Sequence, residues 1–449
     1  MTGAPQIRVQ QLSPTVSLEI DDGLALICID NPPVNALSGT VIDGMNLALT
    51  EVDDNPDIRL AVLICAGRGF IAGADLKEVA DGGRNRSHEA AMMINRIARS
   101  TVPIIAAVHG NALGGGFETA LACDYRIALN TACFGLPEVK IGAIPGYGGT
   151  QRLPRLIGFE HALRMMLSGD PIAAPDALAI GILDEIVEGE LRVEALAYAR
   201  QLIANGAPLR KVDERAVVGI ENLERISEEA TAWIANNRPG EEAPHLIIHV
   251  LHETAQLPIA DGLAVERRYS SSRVSAPQCL AMRYLFFAQR SARKNPQVAA
   301  LLNASAKHGT AGTLAETLNG NPDFELGARL LGAFIREAQT IAAQGVAPSA
   351  IDAALVDFGW RQGPFAMLKS AQISAEGTAE NGSQARALLD AGALVSRCNG
   401  ALRRAAAQLL EEEKTLRSED IDVLCCELYG FPVYRGGPLY EQNAAVKTD

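Results

Sequence analysis

The chain has 449 residues, 48% of them hydrophobic and 21% charged, enough for two or three domains of ordinary globular composition. A formal net charge of −13 argues against a surface built to neutralise nucleic-acid phosphates, and no apolar run is long enough to span a bilayer. Eight cysteines, none in a CxxC pair, lie mostly in apolar runs and read as reduced core thiols. The first residues, MTGAPQIRVQQLSP, lack the regions of a signal peptide, and the last, AAVKTD, carry no peroxisomal tripeptide. The expectation is a soluble cytoplasmic protein.

In chain order, VSLEIDD and LALICIDN predict a hairpin around Asp22-Gly23. SGTVIDGMNLALTEVDDNP has helical spacing, with Ser38 as a candidate cap. IRLAVLIC and VPIIAAVHG are continuous apolar runs, the pattern of strands buried on both faces. YRIALNTACFGLPE supplies two further short strands, and the alternation of strand and helix predicts an α/β core with largely parallel sheets. From about Leu191 the pattern turns helical: VEALAYARQLIA, PHLIIHVLHETA and LAVERRYSSSRVSAPQCLAMRYLFFAQRSARK are amphipathic. RKNPQVAALLNASAKHGTAGTLAETLNGNPD reads as a polar connector. Helical blocks are expected over about 324–368 and 385–422, with SAQISAEGTAENGSQ as a loop between them.

GRGFIA, Gly67 to Ala72, formally fits the dinucleotide fingerprint G-x-G-x-x-G/A and follows a strand. Its context fails, because GADLKE interposes another glycine where a pyrophosphate-binding helix should begin. A Gly-rich strand-to-helix loop is the expected reading.

The chemistry concentrates in two other stretches. HGNALGGGFETALACDY places Glu118 in the first turn of a helix behind Gly114, Gly115 and Gly116, and FGLPEVKIGAIPGYGGTQRLPRL places Glu138 after a strand and a proline. An acid in a first helical turn also has a plain electrostatic use, favouring the macrodipole by roughly 0.3–1 kcal/mol. Two carboxylates facing one pocket can instead divide acid and base work, because repulsion and desolvation separate their pKa values. The glycines let backbone approach a ligand without a Cβ in the way. Their N–H groups at a helix start suit a developing oxyanion, and AGADLKE offers a second such donor near Ala74.

These residues resemble the crotonase (enoyl-CoA hydratase/isomerase) family, through NPPVNALS, FIAGADLKE, VHGNALGGGFETALACDYRIA and GLPEVKIGAIPGYGGTQRLPRLIG in that order. Beyond them, IADGLAVERRYSSSRVSAPQCLAMRYLFFAQRSARK is similar to the linker helix of multifunctional β-oxidation enzymes. GVAPSAIDAALVDFGWRQGPFAMLKS and SRCNGALRRAAAQLLEEEKTLRSEDIDVLCCELYGFPVYRGGPLYEQ resemble the two C-terminal domains of their 3-hydroxyacyl-CoA dehydrogenase. The resemblance implies an α/β fold: a crotonase-type ββα spiral core over residues 1–200, C-terminal and linker helices over 201–295, and all-helical dehydrogenase-like domains over 296–449. The nucleotide-binding domain that separates linker and C-terminal helices in those enzymes has no room here. NAD binding and dehydrogenase activity are therefore expected to be absent. His308 lies in the connector without the strand context of the family's catalytic histidine.

By the same resemblance, Glu118 and Glu138 are catalytic and the amides of Ala74 and Gly115 form the oxyanion hole. Arg68, Gly73, Asp75, Leu76, Lys77, Gly114, Gly146 and Tyr147 contact an acyl-CoA substrate. Arg68 and Lys77 are equally readable as solvated charges. Tyr147, where the family commonly has a small residue, narrows the acyl pocket, hydrogen-bonds an acyl substituent or faces outward. Phe117 and His109 read as structural, and Arg435 to Pro438, RGGP, as a structural turn expected to pack on the first domain. The implied activity is hydration of a 2-enoyl-CoA; double-bond isomerisation, hydration coupled to carbon–carbon cleavage, and a non-catalytic acyl-CoA-binding subunit are the rivals. Neither a metal nor a permanently bound cofactor is implied, and neither nucleic acid nor membrane is an expected partner. A monomer or homodimer is expected rather than a trimer, with a separate dehydrogenase acting downstream.

Overall fold

The computed structural model describes residues 8–75, 86–206, 208–372 and 390–446. Contacts divide the chain into two units, the first running to Arg238 and again over Glu242–Val274, the second comprising Pro239–Glu241 and Ser275 onward.

The first unit is built on a seven-stranded sheet. Strands β1 (Arg8–Ser13), β2 (Val16–Asp21) and β3 (Leu24–Ile29) run antiparallel. The expected hairpin is present: Asp22 and Gly23 both have positive φ, 42° and 78°, as a two-residue turn matching strand twist requires. β1 was not anticipated, because RVQQLS lacks the apolar alternation of a half-buried strand. From β3 the sheet is parallel through β4 (Leu60–Cys65), β5 (Ile104–Val108), β7 (Tyr125–Leu129) and β10 (Glu185–Val187). All six residues of β4 are buried, and their alternation sorts them into two layers. Ala61, Leu63 and Cys65 join the large core with Val41 and Met45 of α1 (Gly39–Asp54). Leu60, Val62 and Ile64 join Leu191, Ala195 and Ala199 of α7 (Leu191–Ala204). Burying each such Leu, Val or Ile is worth about 1.5–3 kcal/mol, which is why these strands need no polar face. Ser38 occupies the N-cap of α1, but its side chain makes no capping bond; its hydroxyl meets Thr40 Oγ1 at 3.1 Å instead.

A second, three-stranded sheet carries β6 (Asn111–Leu113), β8 (Cys133–Gly135) and β9 (Ile172–Ala173), with β6 and β8 parallel. Among the described residues the other α-helices of the unit are α2 (Ser87–Arg99), α3 (Gly115–Ala122), α4 (Gly149–Ile157), α5 (Phe159–Ser168), α6 (Ala174–Ala179), α8 (Leu223–Asn237), α9 (Glu242–Thr254) and α10 (Ile259–Val274).

The second unit is helical: α11 (Pro277–Ala292), α12 (Pro296–Leu318), α13 (Glu325–Ala343), α14 (Pro348–Phe358), α15 (Pro364–Ser370), α16 (Ala391–Glu412), α17 (Ser418–Tyr429) and α18 (Pro438–Val446). Two expectations are corrected here. The helical stretch from Leu263 to Lys294 breaks before Pro277, whose ring cannot follow a helical residue. The expected connector is mostly helix α12, kinked at Gly309 (φ 66°, ψ 175°). Asn295 caps it by accepting from the Gln297 amide at 3.1 Å, and Val298, Leu301, Leu302 and Leu314 are buried. That apolar face outweighs the small polar residues that suggested a linker. Trp360 stacks on Phe334 at 4.3 Å in this core and donates to Asn399 Oδ1 at 3.1 Å. Arg435 lies 3.8 Å over the Phe358 ring and pairs with Glu441 at 2.9 Å, a structural use of the RGGP turn. The expected loop over 370–384 falls mostly outside the described residues. Among the described residues no helix is long and apolar enough to cross a membrane, and no group of three or more His, Cys, Asp or Glu could hold a metal ion.

Candidate active site

Glu118 and Glu138 both leave the carboxyl ends of neighbouring parallel strands. In the small sheet Leu113 of β6 lies opposite Gly135 of β8, and the Gly114 amide donates to the Gly135 carbonyl at 2.9 Å. β6 turns through Gly114 into α3, which carries Glu118; β8 turns through Leu136 into a 3-10 helix, Pro137–Ile141, which carries Glu138. The two short strands between the acids do not pair as a hairpin, since β7 belongs to the large sheet, between β5 and β10. Convergence comes from β6–β8 pairing.

Glu118 is 1% exposed, and its Oε1 accepts the amides of Tyr147 at 2.7 Å and Gly149 at 2.8 Å. Desolvation drives its pKa well above the usual carboxylate range, the charges of Glu138 and Glu266 push the same way, and the two amides oppose them. Glu138 differs. Its Oε2 is buried with no hydrogen-bond partner among the described residues, and burial pushes it up to about 7, opposed by its own backbone amide and aided by the charge of Glu266. One acid is held by donors and the other is left with an unsatisfied oxygen, the asymmetry that lets a carboxyl pair hold a proton on one member.

The two expected amide donors adjoin them. Leu37 N–H donates to the Gly73 carbonyl at 2.9 Å and pairs with Ala74 as an isolated bridge. Gly73 (φ 107°) lies against this segment's neighbour: the Cβ position of Gly114 is 3.8 Å from the Gly73 Cα. Gly115 is the first residue of α3, where helix geometry leaves the amide without an intrahelical acceptor. Neither the Ala74 nor the Gly115 amide donates to a protein acceptor among the described residues. Gly116 is compulsory for another reason: a Cβ there would stand 1.8 Å from the Ile71 carbonyl oxygen. Asn35, with φ 53° and 3% exposure, holds the loop before Ala74 by donating to the carbonyls of Ala66 (2.8 Å) and Gly69 (2.9 Å).

Tyr147 faces inward. Its ring atoms come within 2.8 Å of the position a Gly115 Cβ would take, and its hydroxyl is hydrogen-bonded to Ser87 of α2. Burial pushes the phenol up to about 12, so it stays neutral. The Tyr147 carbonyl accepts from Arg152 at 3.1 Å, and that buried guanidinium is fixed by Asp213 at 2.8 Å and by Asn95 at 2.8 Å. Gly146 lies under α10, where a Cβ would meet Ser270 Oγ at 2.9 Å. Arg68 is exposed, Asp75 is half-buried, and Leu76 and Lys77 lie outside the described residues. The GRGFIA loop is stitched to the β5–β6 segment, with the Phe70 amide on the His109 carbonyl at 2.8 Å and the Leu113 amide on Ile71 at 3.1 Å. His109 Nε2 lies 3.1 Å from the Gly67 carbonyl, and Phe117 is fully buried 5.6 Å from Phe134. Glu266 of α10, a third buried carboxylate, had no local signature in LAVERRYS to single it out.

A family model described as enoyl-CoA hydratase/isomerase matches residues 19–226, and one described as the 3-hydroxyacyl-CoA dehydrogenase C-terminal domain matches residues 326–387. The chain is 40% identical over 197 residues to the "Probable enoyl-CoA hydratase" of Bacillus subtilis, covering 43% of this chain and 76% of that protein. It is 36% identical over 293 residues to the "Peroxisomal bifunctional enzyme" of Cavia porcellus, covering 65% of this chain and 40% of that protein. The chain thus spans about 40% of the length of the bifunctional relatives it matches. A solved enoyl-CoA hydratase from Bacillus anthracis is 28% identical, with 63% of this chain and 96% of that one covered and a TM-score of 0.36.

Proposed function

Because the chain belongs to the enoyl-CoA hydratase/isomerase family, we propose that its first unit adds water across the 2,3 double bond of a 2-enoyl-CoA thioester. The observation that carries this reading is the unpartnered, buried Oε2 of Glu138 beside a Glu118 whose carboxylate is oriented by two amides. In the proposed reaction the thioester oxygen accepts from the Ala74 and Gly115 amides, which stabilise the enolate-like state; one such donor is typically worth about 2.7–4 kcal/mol. Glu118, ionised, takes a proton from water as its oxygen bonds to C3. Glu138, protonated, gives its proton to C2 on the same face. A proton passing from Glu118 to Glu138 restores the pair, so the net change is addition of one water.

Purified protein with crotonyl-CoA should show loss of enone absorbance. A silent assay beside active conversion of a 3-enoyl-CoA to the 2-enoyl isomer would replace hydration by isomerisation. Arg68, exposed on the loop before Ala74, and Lys77 are proposed as phosphate contacts for CoA.

No NAD-dependent step is proposed for this chain. Supporting this, α11 leads through the single kinked helix α12 into α13, which leaves no room there for a nucleotide-binding domain. A separate dehydrogenase would then oxidise the product. Calorimetry that found micromolar NAD affinity would overturn this. The packing of α10 against its own unit's 146–150 loop supports a monomer or homodimer, for which a trimer mass in light scattering is the contrary result.

A further inference from the structure

Glu266 has no place in the chemistry above, yet it is 1% exposed and aimed from α10 at the loop that orients Glu118. Its Oε1 accepts the Gly148 amide at 2.7 Å, and its Oε2 accepts the Thr150 amide at 2.9 Å and the Thr150 hydroxyl at 2.6 Å. The amides of Tyr147 and Gly149 go the other way, to Glu118. Successive amides of one short strap are therefore dealt alternately to two carboxylates on opposite sides of it. Moving either acid must move the strap, and moving the strap must move the other acid.

We propose that Glu266 is a positioning residue, a standing anion that holds the 147–150 strap in register, fixes the Glu118 carboxylate through it, and keeps the working proton on Glu138. The proposal rests on the hydratase reading and deepens it. Of the three carboxylates, Glu266 has the most donors, Glu118 has two amides, and Glu138 has an oxygen with none. A carboxylate that accepts several donors is favoured in its ionised form, whereas a buried oxygen with no donor has a position open for a proton. The charged groups facing Glu266 are Arg152 of α4, Glu118 of α3 and Glu138 of the 3-10 helix. Arg152 is itself neutralised by Asp213. Burial raises Glu266 while its donors and Arg152 oppose the rise, and its charge in turn raises both catalytic acids.

The test is Glu266→Gln, which matches the size but sets an amide NH2 against backbone N–H donors and removes the charge. The expected result is a 10- to 100-fold loss of kcat on crotonyl-CoA with KM within about threefold, the range for a misplaced catalytic group. The kcat/KM profile should shift so that its apparent pKa values fall, and a 13C-carboxyl titration of glutamate-labelled protein should show Glu138 losing its proton at lower pH. Glu266→Asp keeps the charge but cannot reach both Gly148 and Thr150: kcat should drop while the titration stays near wild type. A Glu266→Gln protein with a lower melting temperature but unchanged kcat and unchanged Glu138 titration makes Glu266 a mere tie between helix and loop, and sinks the proposal. Should that variant not fold, Thr150→Val removes the hydroxyl donor to Glu266, with the acceptor of Gln151 Nε2 at 2.9 Å, and keeps the Thr150 amide; several-fold lower kcat at unchanged KM is expected, and wild-type kcat overturns the idea. Wild-type protein inert on crotonyl-CoA would refute the hydratase reading by itself, and the titration would still decide the role of Glu266.

Discussion

Replacing Glu138 by Gln separates activity from stability at one atom. The side chain keeps its shape, and in the proposed reaction the thioester keeps its grip on Ala74 and Gly115, so KM should change little. What is lost is the proton that C2 must receive, and general acid catalysis contributes typically 10²- to 10⁴-fold, about 3–5 kcal/mol of barrier. Stability should move the other way. Glu138 is pushed from 4.5 to about 7 in the folded protein, so between those values the fold retains a proton that the unfolded chain has released. Stability therefore falls as pH rises through that window, by roughly 3 kcal/mol in all at 1.36 kcal/mol per pKa unit. The glutamine has no proton to lose and escapes this penalty. Urea melts near pH 8 should show Glu138→Gln more stable than wild type by up to about that amount, with the gap closing near pH 5. Crotonyl-CoA turnover on the same samples should be down at least a hundredfold. Wild-type turnover, or a stability difference that ignores pH, would refute the reasoning.

In the proposed hydration Glu138 works protonated, so kcat/KM should decline above about pH 7, with an apparent pKa that belongs to the coupled pair; a rate flat through that range contradicts the assignment. Gly116→Ala places a methyl 1.8 Å from the Ile71 carbonyl oxygen, a clash with backbone that should cost about 3 kcal/mol or more in melts and most of the activity. Tyr147→Ala empties the space beside Gly115, so the ratio of kcat/KM for a longer or branched enoyl-CoA to that for crotonyl-CoA should rise about tenfold or more; an unchanged ratio means the ring does not bound the acyl pocket. In the second unit Asp422 accepts the amides of Leu439 (2.8 Å) and Tyr440 (3.0 Å) and the Tyr284 hydroxyl (2.9 Å). Asp422→Ala, which leaves those buried donors bare, should lower that unit's thermal transition by an amount equivalent to about 2–4 kcal/mol.

Much of this architecture could be read in the amino-acid pattern. Continuous apolar runs such as LAVLIC and IIAAV announce strands buried on both faces, and the Asp22-Gly23 hairpin rests on turn chemistry. Glu118 and Glu138 stand out because glycine and proline strip the chain around them. What escaped reading was long-range. Polar β1 is a strand only because β2 pairs with it, and α12 is a helix because its sparse apolar face finds a core. Nothing local says that β7 and β8 belong to different sheets. Glu266 is invisible for the same reason: in ERRYSSSR an acid beside two arginines looks like a solvated helix face, and only its partners at Gly148 and Thr150, more than a hundred positions earlier, reveal it.

Two glycines, Gly114 and Gly149, show why the site is built this way. Burying like-charged acids close together is costly, and side-chain donors strong enough to offset that cost would themselves be cations filling the cleft. Backbone amides solve the problem, provided the acids can come close enough. A Cβ on Gly149 would stand 2.8 Å from Glu118 Oε1, and one on Gly114 would stand 2.8 Å from Glu138 Oε1. Glycine at these places makes the room into which each carboxylate fits. The strap's amides then supply Glu118 and Glu266, while Glu138 is reached by no such donor at Oε2 among the described residues, which leaves that oxygen open to a mobile proton. Reactivity in this cleft follows from how donors are distributed among three otherwise similar acids.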